Sequence, residues 1–261
     1  MGTNGMYAPD FAWAQSARVR SMDEYKKLYE KSISSPEDFW AEQARERLTW
    51  ERDFHTVADI DFDTGTIAWF LGGKLNAAYN CIDRHLADRG DKTAIIWEGD
   101  RPDTVRHITY RDLHHSVSRM ANVLKQWGVQ KGDRVAIYLP MIPEATVAML
   151  ACARIGAVHT VVFAGFSADA LRDRIRDAEA VVVITADEGI RGGKTIPLKR
   201  TVDEAVMACP SVNNVFVTRR TNANVPFFAP RDVDLDEAMV SQRPYCPPEP
   251  VDAEDTLFLL Y

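Results

Sequence analysis

The hydrophobic pattern divides the chain into two parts that meet near residue 90. In residues 91–261, short runs of β-branched and other apolar residues alternate with stretches in which apolar residues recur every three or four positions. The first pattern is typical of strands covered on both faces, and the second is typical of amphipathic helices. Their alternation predicts an α/β fold in which helices flank a mostly parallel sheet.

The individual elements of this second part follow from the same pattern. A hairpin is predicted from strands at residues 93–97 and 106–109, and helices are predicted at residues 109–127, 143–155, 167–177 and 201–208. Buried strands are predicted at residues 135–139, 158–163, 180–185, 215–217 and 255–261. Ligands of open α/β sheets bind beyond the carboxyl ends of the strands. Because the chain stops where such a binding loop is expected, we expect it to be a truncated form of a longer protein.

Residues 1–90 are predicted to be a helical and irregular extension and not an independent domain. Ser21 and Glu24 have the spacing of a helix-capping box, and Pro36 marks the first turn of a second helix. Aromatic residues then stand in polar surroundings, namely Trp50, Phe54, Trp69 and Phe70. Large apolar rings need a surface to pack on, so we expect the extension to pack on the main domain of residues 91–261.

Composition and charge exclude several functions. A hydrophobic fraction of 46% with 26% charged residues is typical of a chain that folds in water. The net charge of −7 argues against a general affinity for nucleic acid. The four cysteines lack zinc-site and C-x-x-C spacings, which favours reduced thiols in a reducing compartment. No apolar run is long enough to span a bilayer and the start lacks a secretory signal, so we expect a cytoplasmic protein without a membrane partner.

No metal site is predicted from the chain. The six histidines are scattered along it. Residues 59–63, DIDFD, alternate acidic and apolar positions in the manner of a calcium loop, but they lack its central glycine and terminal glutamate. We therefore predict a solvated turn at residues 59–63.

The most specific stretch is residues 69–85, WFLGGKLNAAYNCIDRH. From the residues alone it predicts a turn at Gly72 and Gly73 that enters a helix, with Asn76 and Asn80 as hydrogen-bonded polar residues. The stretch closely resembles the N-terminal signature of AMP-forming acetyl-CoA and propionyl-CoA synthetases, which belong to the adenylate-forming superfamily. We expect these side chains to shape the fold and the entrance to the substrate side without doing chemistry.

Residues 161–171, VVFAGFSADAL, are predicted to pass from a strand into a helix through small residues. Such a junction lets a ligand approach the backbone, and the free amides at the helix start can bind an anion or a carbonyl. An ordinary tight turn with Phe163 in the core is the alternative. The stretch resembles the loop that lines the coenzyme A tunnel in this family, although Ala164 stands where the family has the first of two glycines. The resemblance implies that Phe163, Ala164 and Gly165 border the path of coenzyme A.

Residues 185–199, TADEGIRGGKTIPLK, are predicted to form a loop after a strand. The loop presents Arg191 and Lys194 around Gly192 and Gly193, and the glycines allow both cations to reach one anion. A solvated surface loop is the alternative. The stretch is similar to the family's site for the ribose 3′-phosphate of coenzyme A, which implies that Arg191 and Lys194 bind that phosphate. The family often has arginine at the position of Lys194, so this chain keeps the charge but loses the planar fork.

The resemblance covers residues 22–261 and implies an acetate–CoA ligase. Enzymes of this family convert acetate and Mg-ATP to acetyl-AMP and diphosphate, rotate a C-terminal domain, and transfer the acetyl group to the thiol of coenzyme A. Their phosphate loop follows directly after a strand like that predicted at residues 255–261, and the acetate pocket and catalytic lysine lie later. We therefore expect acetate, ATP, Mg²⁺ and coenzyme A to be ligands of the full-length protein. We expect no catalytic residue in this chain and no activity of the chain without its C-terminal remainder.

Two alternatives stay open from the sequence. A propionyl-CoA synthetase or another short-chain acyl-CoA synthetase has the same signature, and the acyl pocket that distinguishes them lies outside the chain. A non-catalytic module that binds coenzyme A is the alternative of another class. A dehydrogenase is disfavoured because the dinucleotide glycine fingerprint is absent from the sequence.

Overall fold

The computed structural model describes residues 11–101 and 103–261. The residues before Phe11, where a secretory signal was sought, lie outside the described residues. Two compact units are present: one runs to Thr49 and includes Phe54–Leu71, and the other comprises Trp50–Asp53 and Gly72–Tyr261. The boundary near residue 90 and the packing of the extension on the main domain stay predictions.

The smaller unit combines helices with a hairpin. Its elements are α1 (Phe11–Ser16), α2 (Met22–Ser34), α3 (Pro36–Arg47), β1 (Thr56–Asp61) and β2 (Thr66–Leu71). As the sequence predicts, the Ser21 hydroxyl accepts a hydrogen bond from the Glu24 amide at 3.1 Å. The aromatic residues pack on one another within this unit, with Trp40 and Trp69 ring centroids 6.3 Å apart and those of Phe54 and Phe70 4.9 Å apart.

The antiparallel hairpin of β1 and β2 is an element that the sequence analysis does not predict. The turn predicted at residues 59–63 is partly confirmed, since β1 continues to Asp61 and the turn follows at residues 62–65. The Asp61 carboxylate accepts hydrogen bonds from the amides of Asp63 and Thr64 at 2.8 and 3.3 Å. The side-chain hydrogen bond from Thr64, together with these two amide bonds, lowers the pKa of Asp61. The strand β1 was missed because its residues Asp59 and Asp61 are acidic, and acidic residues in a sequence indicate a turn.

The larger unit contains the following elements in chain order: β3 (Lys74–Leu75), α4 (Ala77–Cys81), a 3₁₀ turn (Asp83–His85), α5 (Leu86–Arg89), β4 (Thr93–Glu98), β5 (Val105–Thr109), α6 (Tyr110–Gln126), β6 (Arg134–Tyr138), α7 (Pro143–Ile155), β7 (Val158–Val161), α8 (Ala168–Asp177), β8 (Val182–Ala186), β9 (Gly189–Arg191), β10 (Lys194–Ile196), α9 (Leu198–Val206), β11 (Asn214–Thr218), β12 (Asp232–Asp234), α10 (Leu235–Val240), β13 (Val251–Asp252) and β14 (Phe258–Leu259).

A parallel sheet forms the centre of this unit, in the order β12-β11-β8-β6-β7-β14. The crossover from β6 to β7 and the crossover from β7 to β8 run in opposite directions along the sheet. Right-handed connections therefore place α7 on one face and α8 on the other. In agreement, α6 packs on α7 and α10, whereas α8 packs on α9. The predicted fold, a mostly parallel sheet with helices on its faces, is confirmed.

Local signals explain why the helices of this unit begin and end where they do. Thr109 and Asp112 form a complete capping box at the start of α6. Gly156 ends α7 in the left-handed conformation, with φ of 72°. Ser167 caps α8 by accepting a hydrogen bond from the Ala170 amide at 3.3 Å. None of the described helices is both long and apolar enough to cross a membrane.

Two sequence predictions need correction. The stretch at residues 255–261 is not an entire buried strand, because β14 has only two residues and Leu260 is 83% exposed. Among the described residues β14 pairs only with β7, so its other flank is uncovered. The stretch at residues 185–199 is not one loop, because it contains the hairpin of β9 and β10 and the first two residues of α9. This helix starts at Leu198, three residues before its predicted start.

A buried ion cluster joins α7 to the segment that carries the family signature. We call Asp83, His114 and Arg154 the Arg154 cluster. Both terminal nitrogens of Arg154 donate to the Asp83 carboxylate at 2.8 Å, and its Nε donates to the carbonyl of Cys246. His114 Nε2 lies 3.4 Å from the Asp83 carboxylate. Burial tends to raise the pKa of Asp83, but the hydrogen bonds from Arg154 and His114 outweigh it and lower the pKa to about 2.

Asn76, in the same signature, has the structural role that the sequence predicts. Its side chain caps α4 by accepting from the Tyr79 amide at 3.1 Å. Its amide nitrogen also lies within hydrogen-bond distance of the carbonyls of Ala153, Arg154 and Glu249, at 2.8–3.2 Å. Asn76 thus links the start of α4 to the end of α7 and to the backbone at Glu249.

A second buried ion cluster lies beside α9. We call Lys199, Asp203, Arg231 and Asp232 the Lys199 cluster. Lys199 has no exposed surface, and its ammonium group lies 2.7 Å from Asp203 and 2.8 Å from Asp232. Arg231 pairs with the same two carboxylates. Burial tends to raise the pKa of Asp232, but hydrogen bonds from Arg231 and Lys199 hold it below its usual value.

Candidate functional site

The strand order of the sheet indicates where a ligand binds. Along the chain, β6 is followed by β7 on one side and then by β8 on the other. In open α/β sheets the crevice at such a reversal, beyond the carboxyl ends of the strands, is the usual ligand site. The loop after β7 and the hairpin after β8 both start at this edge, and they carry the site residues predicted from the sequence.

The first of these segments, residues 162–166, is called the Phe163 loop. The side chain of Ala164 is buried, whereas the Phe163 ring is 51% exposed at the rim of the sheet. Gly165 has φ of 134°, which residues with a side chain rarely adopt, and a Cβ there would lie 3.4 Å from the Phe163 ring. The alternative of a turn with Phe163 in the core does not describe this loop, because the ring faces solvent.

The second segment, called the basic hairpin, comprises β9, β10 and the two residues between them. Gly192 and Gly193 both have positive φ, of 55° and 75°, which is the requirement of a two-residue type I′ turn. Arg191 and Lys194 are therefore direct partners across the hairpin. Side chains of directly opposed residues project from the same face with their Cβ atoms about 5 Å apart. The two glycines thus place both cations side by side.

The charges of this pair are not neutralised within the described part of the chain. Arg191 and Lys194 are exposed, and neither forms an ion pair with a described residue. Like charges opposite each other on a hairpin repel. Arg offers a planar fork for phosphate oxygens and Lys a compact charge, so an anion between them would receive hydrogen bonds from both.

The structure brings the two predicted segments together. The guanidinium carbon of Arg191 lies 5.2 Å from the centroid of the Phe163 ring, although the two residues are far apart in sequence. A cation at this distance is attracted to the face of an aromatic ring. An exposed ring and an unpaired cation pair thus occupy one surface, which suits a ligand that has both a flat group and a phosphate.

Two residues that support these segments are not identified by the sequence analysis. Tyr138, the last residue of β6, hydrogen-bonds to the Phe163 loop through its hydroxyl. Asp187, just before the basic hairpin, is buried and accepts hydrogen bonds from the amides of Arg220, Thr221 and Ala223 at 2.8–3.2 Å. Two signals in the sequence could have found them. Tyr138 is a polar aromatic residue near the end of an apolar strand, and Asp187 directly follows an apolar strand.

Comparison with known proteins identifies the family of this chain. The sequence profile of the family described as "AMP-binding enzyme" matches residues 82–261, which is more than half of the chain. The chain belongs to the AMP-binding enzyme family. A second profile, described as "Acetyl-coenzyme A synthetase N-terminus", matches residues 25–81. The resemblance found at residues 69–85 is therefore confirmed.

Several relatives from this family carry the name acetyl-coenzyme A synthetase. The protein from Halorhodospira halophila is 58% identical over 92% of this chain, and acetyl-coenzyme A synthetase 2 from Pseudomonas aeruginosa is 57% identical over 92%. Among solved structures, an acetoacetyl-CoA synthetase from Streptomyces lividans superposes with a TM-score of 0.84 and 27% identity, over 96% of this chain. The chain spans 37% of the length of the two named relatives and 38% of the solved structure.

The described residues do not suggest protein ligands for a metal ion. No group of three or more His, Cys, Asp or Glu side chains among them is arranged to hold one.

Proposed function

We propose that the whole protein is an AMP-forming acetate–CoA ligase and that this chain supplies part of its coenzyme A site. The overall reaction converts ATP, acetate and coenzyme A to acetyl-CoA, AMP and diphosphate through an acetyl adenylate. The observation that carries the proposal is the contact of Arg191 with the Phe163 ring, which unites the two segments that the family resemblance assigns to coenzyme A. The names of the relatives support the acetate reaction.

Within this proposal, Arg191 and Lys194 bind the 3′-phosphate of coenzyme A. Both cations project from one face of the basic hairpin, and the anion would relieve their mutual repulsion. Gly192 and Gly193 form the turn that makes this arrangement possible. Phe163, Ala164 and Gly165 border the nucleotide or pantetheine path, where the exposed ring offers apolar surface and the small residues allow close approach.

The adenylation step is assigned to the remainder of the full-length protein. Forming an adenylate replaces an oxide leaving group by a far better one, and cationic groups with Mg²⁺ offset the charge that develops on the phosphates. This chain contributes the first part of the sheet, and the cationic groups of the adenylation step would be attached to that sheet. We also propose a cytoplasmic location, in agreement with four cysteines that form no disulfide.

The acyl group is proposed to be acetate and not a longer acid. The relatives named acetyl-coenzyme A synthetase are 57–58% identical to this chain, whereas the solved acetoacetyl-CoA synthetase is 27% identical. Measuring the turnover of acetate and of propionate by the full-length protein distinguishes between these two acyl substrates.

Replacing Arg191 by alanine in the full-length protein is expected to raise the KM for coenzyme A about 10- to 100-fold. Hydrogen bonds to charged groups contribute about 1.5–3 kcal/mol each, and about 1.4 kcal/mol corresponds to a factor of ten. Acetate-dependent ATP–diphosphate exchange should be nearly unchanged, because coenzyme A takes no part in that half-reaction. Steady-state kinetics and the exchange assay measure the two effects.

The matched control is Arg200→Ala, which removes an exposed arginine of α9 that pairs with Glu204. It should leave the KM for coenzyme A within about twofold, since surface ion pairs contribute little. Equal damage to both half-reactions by Arg191→Ala would show that Arg191 does not serve the coenzyme A site.

The 261-residue chain alone is expected to show no acetate-dependent ATP–diphosphate exchange. The groups assigned to adenylation belong to the remainder of the protein, so no partial reaction is expected from this part. The full-length protein, assayed at the same molar concentration, provides the positive control. Exchange by the chain above the background of a no-enzyme sample would refute this prediction.

A further inference from the structure

Tyr138 occupies a position from which it contacts both ligand-binding segments. It ends β6, the strand at which the strand order reverses, and it has no exposed surface. Its hydroxyl donates to the carbonyl of Phe166 at 2.8 Å and accepts from the amide of Gly165 at 3.2 Å. Its own carbonyl accepts from the hydroxyl of Thr185 at 3.0 Å, near the end of β8 from which the basic hairpin departs.

The Phe163 loop has few other restraints. At the start of the loop, the Val162 amide donates a hydrogen bond to the Ile137 carbonyl. Within the loop, the Phe166 amide donates to the Phe163 carbonyl. In the described part of the chain, no other side chain hydrogen-bonds to the backbone of residues 163–166. Gly165, with its unusual φ, is the residue whose amide the Tyr138 hydroxyl fixes. The hydroxyl therefore selects one conformation of a turn that glycine alone leaves flexible.

The conformation of this loop sets where the Phe163 ring lies. The ring contacts Phe166 at a centroid distance of 5.8 Å and Arg191 at 5.2 Å. The two bonds of the Tyr138 hydroxyl fall two and three residues after Phe163, so losing them would free the ring from its place beside Arg191. Burial raises the pKa of Tyr138, so the hydroxyl keeps its proton for the bond to Phe166.

We infer that Tyr138 is a positioning residue of the coenzyme A site, which it organises by fixing the Phe163 loop against the basic hairpin. This inference rests on the proposed function, because it takes the Phe163 loop and Arg191 as contacts of coenzyme A. Tyr138 itself is buried beneath the loop and touches the ligand only through it.

The test is Tyr138→Phe in the full-length protein, which keeps the ring and removes the hydroxyl. We expect the KM for coenzyme A to rise about 5- to 30-fold, as the loss of two hydrogen bonds predicts. The rate at saturating coenzyme A should change less than threefold, and ATP–diphosphate exchange should be unchanged. Dephospho-coenzyme A, which lacks the 3′-phosphate, should show the same fold increase, because Tyr138 acts through the Phe163 loop and not through the phosphate contact.

Tyr110→Phe is the matched control, since Tyr110 lies at the start of α6 and its ring contacts His85, away from the loop. It should leave the KM unchanged. Gly165→Ala provides a second variant that leaves the core intact. It adds a Cβ at a φ of 134° beside the Phe163 ring and should raise the KM in the same way, without affecting exchange.

The outcomes separate this inference from the proposed function. If Arg191→Ala raises the KM for coenzyme A and Tyr138→Phe does not, the positioning role is overturned while the proposed function stands. If Tyr138→Phe damages exchange as much as the overall reaction, its role is general and the inference is also overturned. If neither Arg191→Ala nor Tyr138→Phe nor Gly165→Ala changes the KM, the assignment of the coenzyme A site itself fails.

Discussion

Replacing Arg154 by methionine is expected to destabilise the chain by about 3–5 kcal/mol, the usual cost of breaking a buried ion pair from one side. Arg154 has no exposed surface and donates to both oxygens of Asp83 and to the carbonyl of Cys246. Methionine fills much of the same volume but leaves the carboxylate without its cation. Urea unfolding at neutral pH, followed by circular dichroism, measures the loss.

The pH dependence of unfolding identifies the cause of that loss. Asp83 has its pKa lowered to about 2 in the folded chain, against an ordinary value of 3.8. A lowered pKa contributes stability above the ordinary pKa, and the contribution disappears as the pH falls from about 4 toward 2. The difference corresponds to about 2 kcal/mol. This acid-sensitive part should be present in the unaltered chain and smaller in Arg154→Met, where of the partners Arg154 and His114 only His114 remains.

Two further variants serve as controls. Arg111→Met removes an exposed arginine that pairs with Asp91 and should cost less than about 1 kcal/mol. The double variant Arg154→Met with Asp83→Asn removes the unpaired charge and should recover part of the loss. A double variant as unstable as Arg154→Met would contradict the explanation by an uncompensated charge.

Replacing Lys199 by methionine should cost a similar amount, about 3–5 kcal/mol. The Lys199 cluster contains two cations and two carboxylates, so it is neutral as it stands. Removing Lys199 leaves Asp232, which has no exposed side-chain surface, with Arg231 as its remaining cation. Thermal and urea unfolding both measure this loss.

For Lys199, the informative comparison is with a double variant in which one carboxylate of the Lys199 cluster is also removed, so that the cluster is again neutral. Lys199→Met combined with Asp232→Asn should be more stable than Lys199→Met alone. Arg200→Met, at the next position but exposed, should have an effect below about 1 kcal/mol. If Lys199→Met also lost less than about 1 kcal/mol of stability, water or local rearrangement would be compensating the unpaired carboxylate. The Lys199 cluster would then not hold α9 in place.

The sequence predicted most of the helices because their ends carry short-range signals. Thr109, Gly156 and Ser167 act within three or four residues of themselves, so the signal is complete in the local sequence. Four strands of the parallel sheet, β6, β7, β8 and β11, were predicted because strands buried on both faces are continuous apolar runs, whereas β12 was not predicted and β14 was predicted too long. The order of the strands, in contrast, depends on contacts between distant residues and could not be derived from the pattern.

The residues that escaped prediction are those whose role depends on distant partners. Lys199 was the last residue of the stretch predicted as a loop, and its burial follows from the carboxylates of Asp203 and Asp232. In the sequence, Tyr138 is an ordinary aromatic residue at the end of a strand. Its role becomes visible only in the fold, where its hydroxyl bonds to the Phe163 loop. For the candidate site, the motifs identified Phe163 and Arg191 separately, but only the fold shows that they meet.

The end of α7 has a consequence for the order of events during synthesis. The carbonyl of Arg154 accepts from the amide of Glu249, and Asn76 donates to the carbonyl of Glu249 in turn. The Arg154 side chain similarly requires the carbonyl of Cys246. A nascent chain that has emerged only through β12 therefore has buried polar groups whose partners are still inside the ribosome. The end of α7 reaches its fully bonded state only after about ninety residues beyond α7 have been translated.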